Sequence, residues 1–225
     1  MRRRYFSTAF GISITDMTAR DLVQCTFFAL VVRPFMVLFI GLRVRGRQHL
    51  PRSDPFILVA NHSSHLDTIS LLSLFPLGRL PRIRPVAAAD YFERNWFVST
   101  LSKALFNILP ITRKGITPET NPLPRMETAV REGQSLILFP EGTRGSGEAL
   151  GHFHSGAAHL IERVPDLPVV PVCLVNMGRS LPKGEWIPVP FFCEVRLGPP
   201  RTVRGNCRAI TEALETAVRQ LQEPV

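Results

Sequence analysis

The residues best placed by type and spacing to do chemistry are Asn61-His62-Ser63-Ser64-His65-Leu66-Asp67, which follow directly on the apolar run at 56–60. An imidazole in the turn before a helix can fold back on a carboxylate in the first turn. The carboxylate then sets the ring tautomer and steadies the imidazolium formed when the ring takes up a proton. His62 and Asp67 have that spacing, so they read as a general base with its orienting acid. Ser64 and Asp67 also form an S-x-x-D capping box, on which reading Asp67 only closes a helix end. Capping accounts for Asp67 and leaves His62 unexplained.

A second polar cluster, Pro140-Glu141-Gly142-Thr143-Arg144, follows the apolar run at 135–139. Arg144 offers a planar fork of donors suited to phosphate, and Gly142 lets the backbone approach a ligand closely. The alternative is a polar turn with a Glu–Arg surface pair. No G-x-x-x-x-G-K-[ST] signature occurs, which excludes a nucleotide P-loop.

Elements must position these clusters, and both lie just beyond an apolar run, where open α/β sheets place their ligands. From residue 53 onward short apolar runs alternate with amphipathic stretches, the pattern of an α/β domain. Strands are expected at 56–60, 84–88, 135–139, 169–175 and 192–197, and helices at about 64–75, 96–107, 126–132, 155–164 and 208–221. The expected fold class is α/β: a single domain at 53–225 with a mostly buried mixed sheet flanked by helices. Residues 1–52 precede it as a basic, apolar, helical membrane-association segment.

With 225 residues, 45% of them hydrophobic and 20% charged, the chain has the size and composition of one cored domain and excludes a wholly disordered or fibrous protein. Of the net charge of +9, a balance of +7 lies in residues 1–52, where nine arginines face only Asp16 and Asp21. Basic charge beside apolar sequence suits an anionic membrane surface, not a nucleic-acid groove, and two Tyr and two Trp supply little for base stacking.

Within that segment, 22–42 approaches the length needed to cross a bilayer, but Arg33-Pro34 divides it into 22–32 and 35–42, each too short to span. Two short helices dipping into one leaflet are therefore expected, with a single strained spanning helix or a buried core helix as the alternatives. Arg20 precedes the run and Arg43, Arg45 and Arg47 follow it, which puts both ends on the cytoplasmic face and makes 20–45 a monotopic or peripheral anchor. The four cysteines show no C-x-x-C pair or disulfide framework, as expected of a reducing compartment.

Taken together, the clusters resemble the glycerolipid acyltransferase family, specifically the 1-acyl-glycerol-3-phosphate (lysophosphatidic acid) acyltransferases. That family's His-x4-Asp block is matched by NHSSHLD, with His62 and Asp67 in place. Its second block is similar to Leu109-Pro110-Ile111-Thr112-Arg113, its third to FPEGTR, and its proline-containing fourth to Val169-Val170-Pro171-Val172. The resemblance covers about residues 40–220 with the blocks in order. The chain departs from the family's pattern at Ala88-Ala89-Asp90, where a lysine-rich stretch is frequent, and at Phe153-His154-Ser155-Gly156, where a basic residue is common.

The resemblance implies acyl transfer from acyl-CoA or an acyl carrier protein thioester to the free hydroxyl of a lysophospholipid, with 1-acyl-glycerol-3-phosphate the first expectation and another lysolipid acceptor the alternative. His62 would be the base and Asp67 its orienting acid. Arg113 and Arg144 would hold the acceptor's phosphate, with Glu141, Gly142 and Thr143 shaping the polar end of the site. No metal or other cofactor is implied. The expected partners are the two substrates and a membrane surface, without nucleic acid. Two further classes stand beside this reading. One is a metallohydrolase using His62, His65, His152 and His154, whose HSSH spacing of three departs from the usual helical pair at four. The other is a peripheral protein whose arginines bind anionic lipid without catalysis.

Overall fold

Apolar runs that do not alternate with polar residues suit strands covered on both faces. A computed structural model describes residues 17–89, 104–112, 115, 117–145, 150–182, 184–185 and 187–222. Seven strands form one sheet in the order β1-β7-β6-β2-β5-β3-β4. They are β1 (Arg43–Arg45), β2 (Ile57–Ala60), β3 (Ile83–Ala88), β4 (Leu109–Ile111), β5 (Ser135–Leu138), β6 (Val169–Val175) and β7 (Glu194–Leu197). Every pairing is parallel except β6 with β7, so the sheet is mixed, as expected.

Side chains of the central strands alternate between two cores. Leu58, Ile137, Val170 and Val172 enter one, whereas Ile57, Val59, Leu136 and Val169 enter the other. On the second face pack three helices, α3 (Pro122–Arg131), α4 (Gly156–Arg163) and α6 (Cys207–Gln220), of which α6 buries Ile210, Leu214 and Val218. On the first face lie α2 (Leu66–Ser73) and the N-terminal helix, and the short α5 (Met177–Ser180) follows β6. β1, β4 and α5 are too short for a hydrophobic period to reveal. The expected helix at 96–107 falls mostly outside the described residues, which include a helical turn at 104–106.

The N-terminal helix corrects the expectation of two short helices. A single helical segment, α1 (Ala19–Phe39), runs through Arg33-Pro34. It starts with Thr18 and Asp21 in a reciprocal capping box, then widens to a π register in which the Arg33 N–H bonds to the Phe28 carbonyl and the Ile40 N–H to that of Phe35. Register changes of this kind accommodate a residue that lacks an N–H. Phe28, Val32, Met36 and Ile40, spaced by four, form one stripe buried in the core shared with α2. Arg33 is not placed in hydrocarbon: its guanidinium donates to the Phe75 carbonyl at 2.5 Å, and that of Arg47 to Leu74 at 3.2 Å, so both cations serve the C-terminal end of α2. Residues 43–45, read from sequence as part of the N-terminal segment, form an edge strand of the same sheet.

Candidate active site

The chain leaves β2 toward β3 on one side of the sheet and leaves β5 toward β6 on the other, so the C-terminal ends of β2 and β5 lie at a topological switch point. Both polar clusters sit there. Asn61 ends β2 by donating to the Leu174 carbonyl at 2.9 Å and accepting from the Leu174 N–H at 2.7 Å, which clamps the start of the turn to β6. The next residue is His62.

The His62 Nδ1 lies 2.8 Å from Asp67 Oδ2. That same oxygen accepts the backbone N–H groups of Ser63 at 2.6 Å and Ser64 at 2.8 Å. A carboxylate oxygen already serving two donors takes a third, so Nδ1 carries the proton and Nε2 is left able to accept one. Asp67 is fully buried, while the His62 side chain is 21% exposed, so the pair reaches outward through the imidazole alone. Holding the turn and orienting the imidazole therefore do not compete for Asp67, because one oxygen does both. Ser64 uses its hydroxyl differently from a simple capping box, accepting from the Leu66 N–H and donating to the Leu181 carbonyl.

The second cluster holds the first in place. Glu141 is buried, with Oε1 accepting the His62 N–H at 2.9 Å and Oε2 the Gly151 N–H at 3.2 Å. The Gly145 N–H in turn donates to the His62 carbonyl at 2.9 Å. Burial pushes the Glu141 carboxyl above its ordinary range, opposed by those two backbone donors. Expected from sequence to shape the polar end of the site, Glu141 turns its carboxylate inward onto these two backbone N–H groups. Gly151 is required for that contact, since a Cβ there would lie 2.8 Å from Oε2. Gly142 has a φ of +72°, a left-handed conformation strained for any residue with a side chain, and a Cβ would also crowd the His154 ring at 3.0 Å.

The remaining candidates are distributed unevenly. Thr143 is exposed and Arg144 half-buried beside the site, where its charge bears on His65. Burial first, and then the charges of Arg144 and His62, push the His65 imidazole down to about 4, so it stays neutral at ordinary pH. Arg113 lies outside the described residues. Reasoning from sequence assigned no individual role to Asn61, to Phe139, whose ring stacks on His62 at 4.3 Å, or to the backbone of Gly151. Only the polar Asn directly after an apolar run gave a signal for any of these. Among the described residues, the one grouping of three side chains able to hold a metal is His159, Glu162 and Cys207 on α4 and α6. His62, His65, His152 and His154 form no such group, and the last two are exposed.

A family model described as Acyltransferase matches residues 41–175. A mouse protein named 1-acyl-sn-glycerol-3-phosphate acyltransferase alpha is 26% identical over 218 residues, which are 95% of this chain and 74% of that one. The Brassica napus chloroplastic 1-acyl-sn-glycerol-3-phosphate acyltransferase BAT2 is 31% identical over 143 residues, 63% of this chain but only 39% of its own length. The crystal structure of the PlsC acyltransferase from Thermotoga maritima has a like fold, with a TM-score of 0.68 at 21% identity, over 92% of this chain and 83% of that one. The matched span runs from the residues before β1 to the end of β6 and so contains the His62 turn, the Glu141–Arg144 cluster and the clamp between them: the chain belongs to the acyltransferase family.

Proposed function

We propose that the protein transfers a fatty acyl group from a thioester, acyl-CoA or acylated acyl carrier protein, to the free hydroxyl of 1-acyl-glycerol-3-phosphate, giving phosphatidic acid. The observation that carries this reading is the 2.8 Å contact between His62 Nδ1 and Asp67 Oδ2 at the mouth of a switch point, in a chain of the acyltransferase family. Relatives named for 1-acyl-sn-glycerol-3-phosphate support the choice of acceptor.

In the proposed reaction His62 Nε2 takes the proton of the acceptor hydroxyl as its oxygen attacks the thioester carbonyl carbon. The tetrahedral adduct then collapses, breaking the C–S bond, and the thiolate leaves and recovers a proton from the imidazolium. Asp67 stabilises that imidazolium and keeps the ring aimed outward. Thiolates leave easily, so no acyl-enzyme, metal or cofactor is needed. Arg144, with Arg113, would take the acceptor's phosphate through charge-assisted hydrogen bonds. The exposed apolar face of α1 supports an enzyme working at a membrane surface, where its acceptor is concentrated, and the arginines flanking that helix favour the cytoplasmic side.

A panel of lysolipids offered with acyl-CoA and acyl carrier protein thioesters, in chelator, with products identified by mass, tests the proposal. Phosphatidic acid should form from 1-acyl-glycerol-3-phosphate, and His62→Ala should lower kcat by about 10²–10⁴-fold. An equally active His62→Ala would remove the base, and product only from another lysolipid would change the acceptor.

A further inference from the structure

We propose that the loop stretch 187–192, which leads into β7, is a second membrane-inserting element that enters the hydrocarbon of an anionic phospholipid leaflet beside α1. The proposal extends the reading of the enzyme as one that works on a membrane surface. Exposed large apolar side chains occur among the described residues in two stretches only: along α1, and at Ile187, Val189, Phe191 and Phe192. Ile187 is 81% and Phe192 76% exposed, comparable with Leu38 of α1 at 84%. Apolar side chains crowded in so short a segment exceed the scattered surface hydrophobes of a soluble chain.

The loop displays these side chains while its backbone is tied down. The Val189 N–H donates to the Ser180 carbonyl at 2.7 Å, and the Ser180 hydroxyl donates to the Val189 carbonyl at 2.8 Å. Farther along, Asn176 Nδ2 donates to the Phe192 carbonyl at 2.9 Å. A segment whose backbone is pinned at Val189 and Phe192 while its apolar groups are turned out loses less ordering entropy on insertion.

Continuity and charge identify the occupant. Phe192 lies beside the residues that follow α1, where a Cβ on Gly41 would be 3.7 Å from its ring, so the loop's apolar groups adjoin the end of that helix. Arginines accompany the apolar groups: the guanidinium of Arg43 lies 6.0 Å from the centre of the Phe192 ring, and that of Arg179 5.6 Å from the Phe191 ring. Apolar side chains flanked by arginine fit hydrocarbon below anionic headgroups. The loop also grows from a wall of the active site, because the Ser64 hydroxyl donates to the Leu181 carbonyl at 2.8 Å. Insertion would thus place the His62 turn at the level where a lysophospholipid's hydroxyl lies.

The test uses the full chain and the substitutions I187D and F192D, singly and together. Both side chains are exposed, so the variants should unfold at the same temperature as the parent. Sedimentation with vesicles of phosphatidylglycerol and phosphatidylcholine should show each substitution weakening binding by about tenfold or more, the scale of removing one buried large apolar side chain. Turnover of 1-acyl-glycerol-3-phosphate held in vesicles should fall in parallel, whereas turnover of a short-chain, monomerically dissolved homologue should match the parent. Unchanged vesicle binding would overturn the proposal. Equal loss with the dissolved and the vesicle-held acceptor would also overturn it, showing the loop to be only a wall of the site. A parent protein inactive on both acceptors would refute the enzymatic reading, while the sedimentation result would still decide the loop.

Discussion

His62 and Asp67 are joined by a bond whose other end is as informative as the bond itself: Asp67 Oδ2 takes all three donors, and Oδ1 is buried with no hydrogen-bond partner. An amide oriented with its oxygen at Oδ2 would preserve every hydrogen bond and remove the charge, while its nitrogen at Oδ1 would bury two N–H donors where Oδ1 has no partner. Asp67→Asn should therefore keep the fold, judged by a single cooperative thermal transition at a lowered midpoint, and lower kcat by about tenfold or more. Near-normal turnover would leave Asp67 a helix cap and nothing else. Arg144→Ala should raise the acceptor's KM more than the donor's in steady-state kinetics, and the reverse pattern would assign this arginine to the donor. The dyad was legible from sequence because it is local, five residues apart. The bond from the His62 N–H to Glu141 was not, since 79 residues separate the partners and nothing in either motif names the other.

At the scale of elements, α1 shows what a hydropathy pattern can and cannot carry. The apolar run at 22–42 is plain in the sequence, but both of its faces are apolar, so no periodicity distinguishes a side for the core from a side for lipid. The structure makes that division, burying Met36 and exposing Leu38. Met36→Ala should cost about 2–5 kcal/mol of unfolding free energy by denaturant titration. Leu38→Asp should leave that value within about 0.5 kcal/mol of the parent and release the protein from vesicles. The break expected at Pro34 did not occur, because tertiary packing along the stripe from Phe28 to Ile40 outweighs the local cost of a missing hydrogen bond, which the π register reduces.

For the whole molecule, pH links the site to stability. Folding pushes His65 down to about 4, whereas in the unfolded chain it takes up a proton near its ordinary value of about 6.5. Between those values the unfolded state binds more protons, so this group's contribution to stability falls as pH drops from 6.5 toward 4. Glu141 acts in the opposite sense just above its ordinary value, its raised pKa favouring the folded state at lower pH. His65→Gln isolates the first effect: denaturant unfolding at pH 6.5 and pH 4.5 should show a smaller loss of stability on acidification than in the parent. An equal loss would mean that His65 is not desolvated by the fold.

The sequence by itself determined the secondary structure of the central sheet and the chemical character of each cluster, because both are written in neighbouring residues: unbroken apolar runs for strands buried on two faces, and an imidazole within one turn of a carboxylate. Only the tertiary structure decided the strand order that places the ends of β2 and β5 together, the inward turn of Glu141 onto the His62 backbone, and the placement of Phe192 beside the residues that follow α1. The physical reason is the same in each case. These arrangements depend on which distant surfaces cover one another, a choice made by packing and by the satisfaction of buried polar groups across the molecule, and not by any residue's own preference.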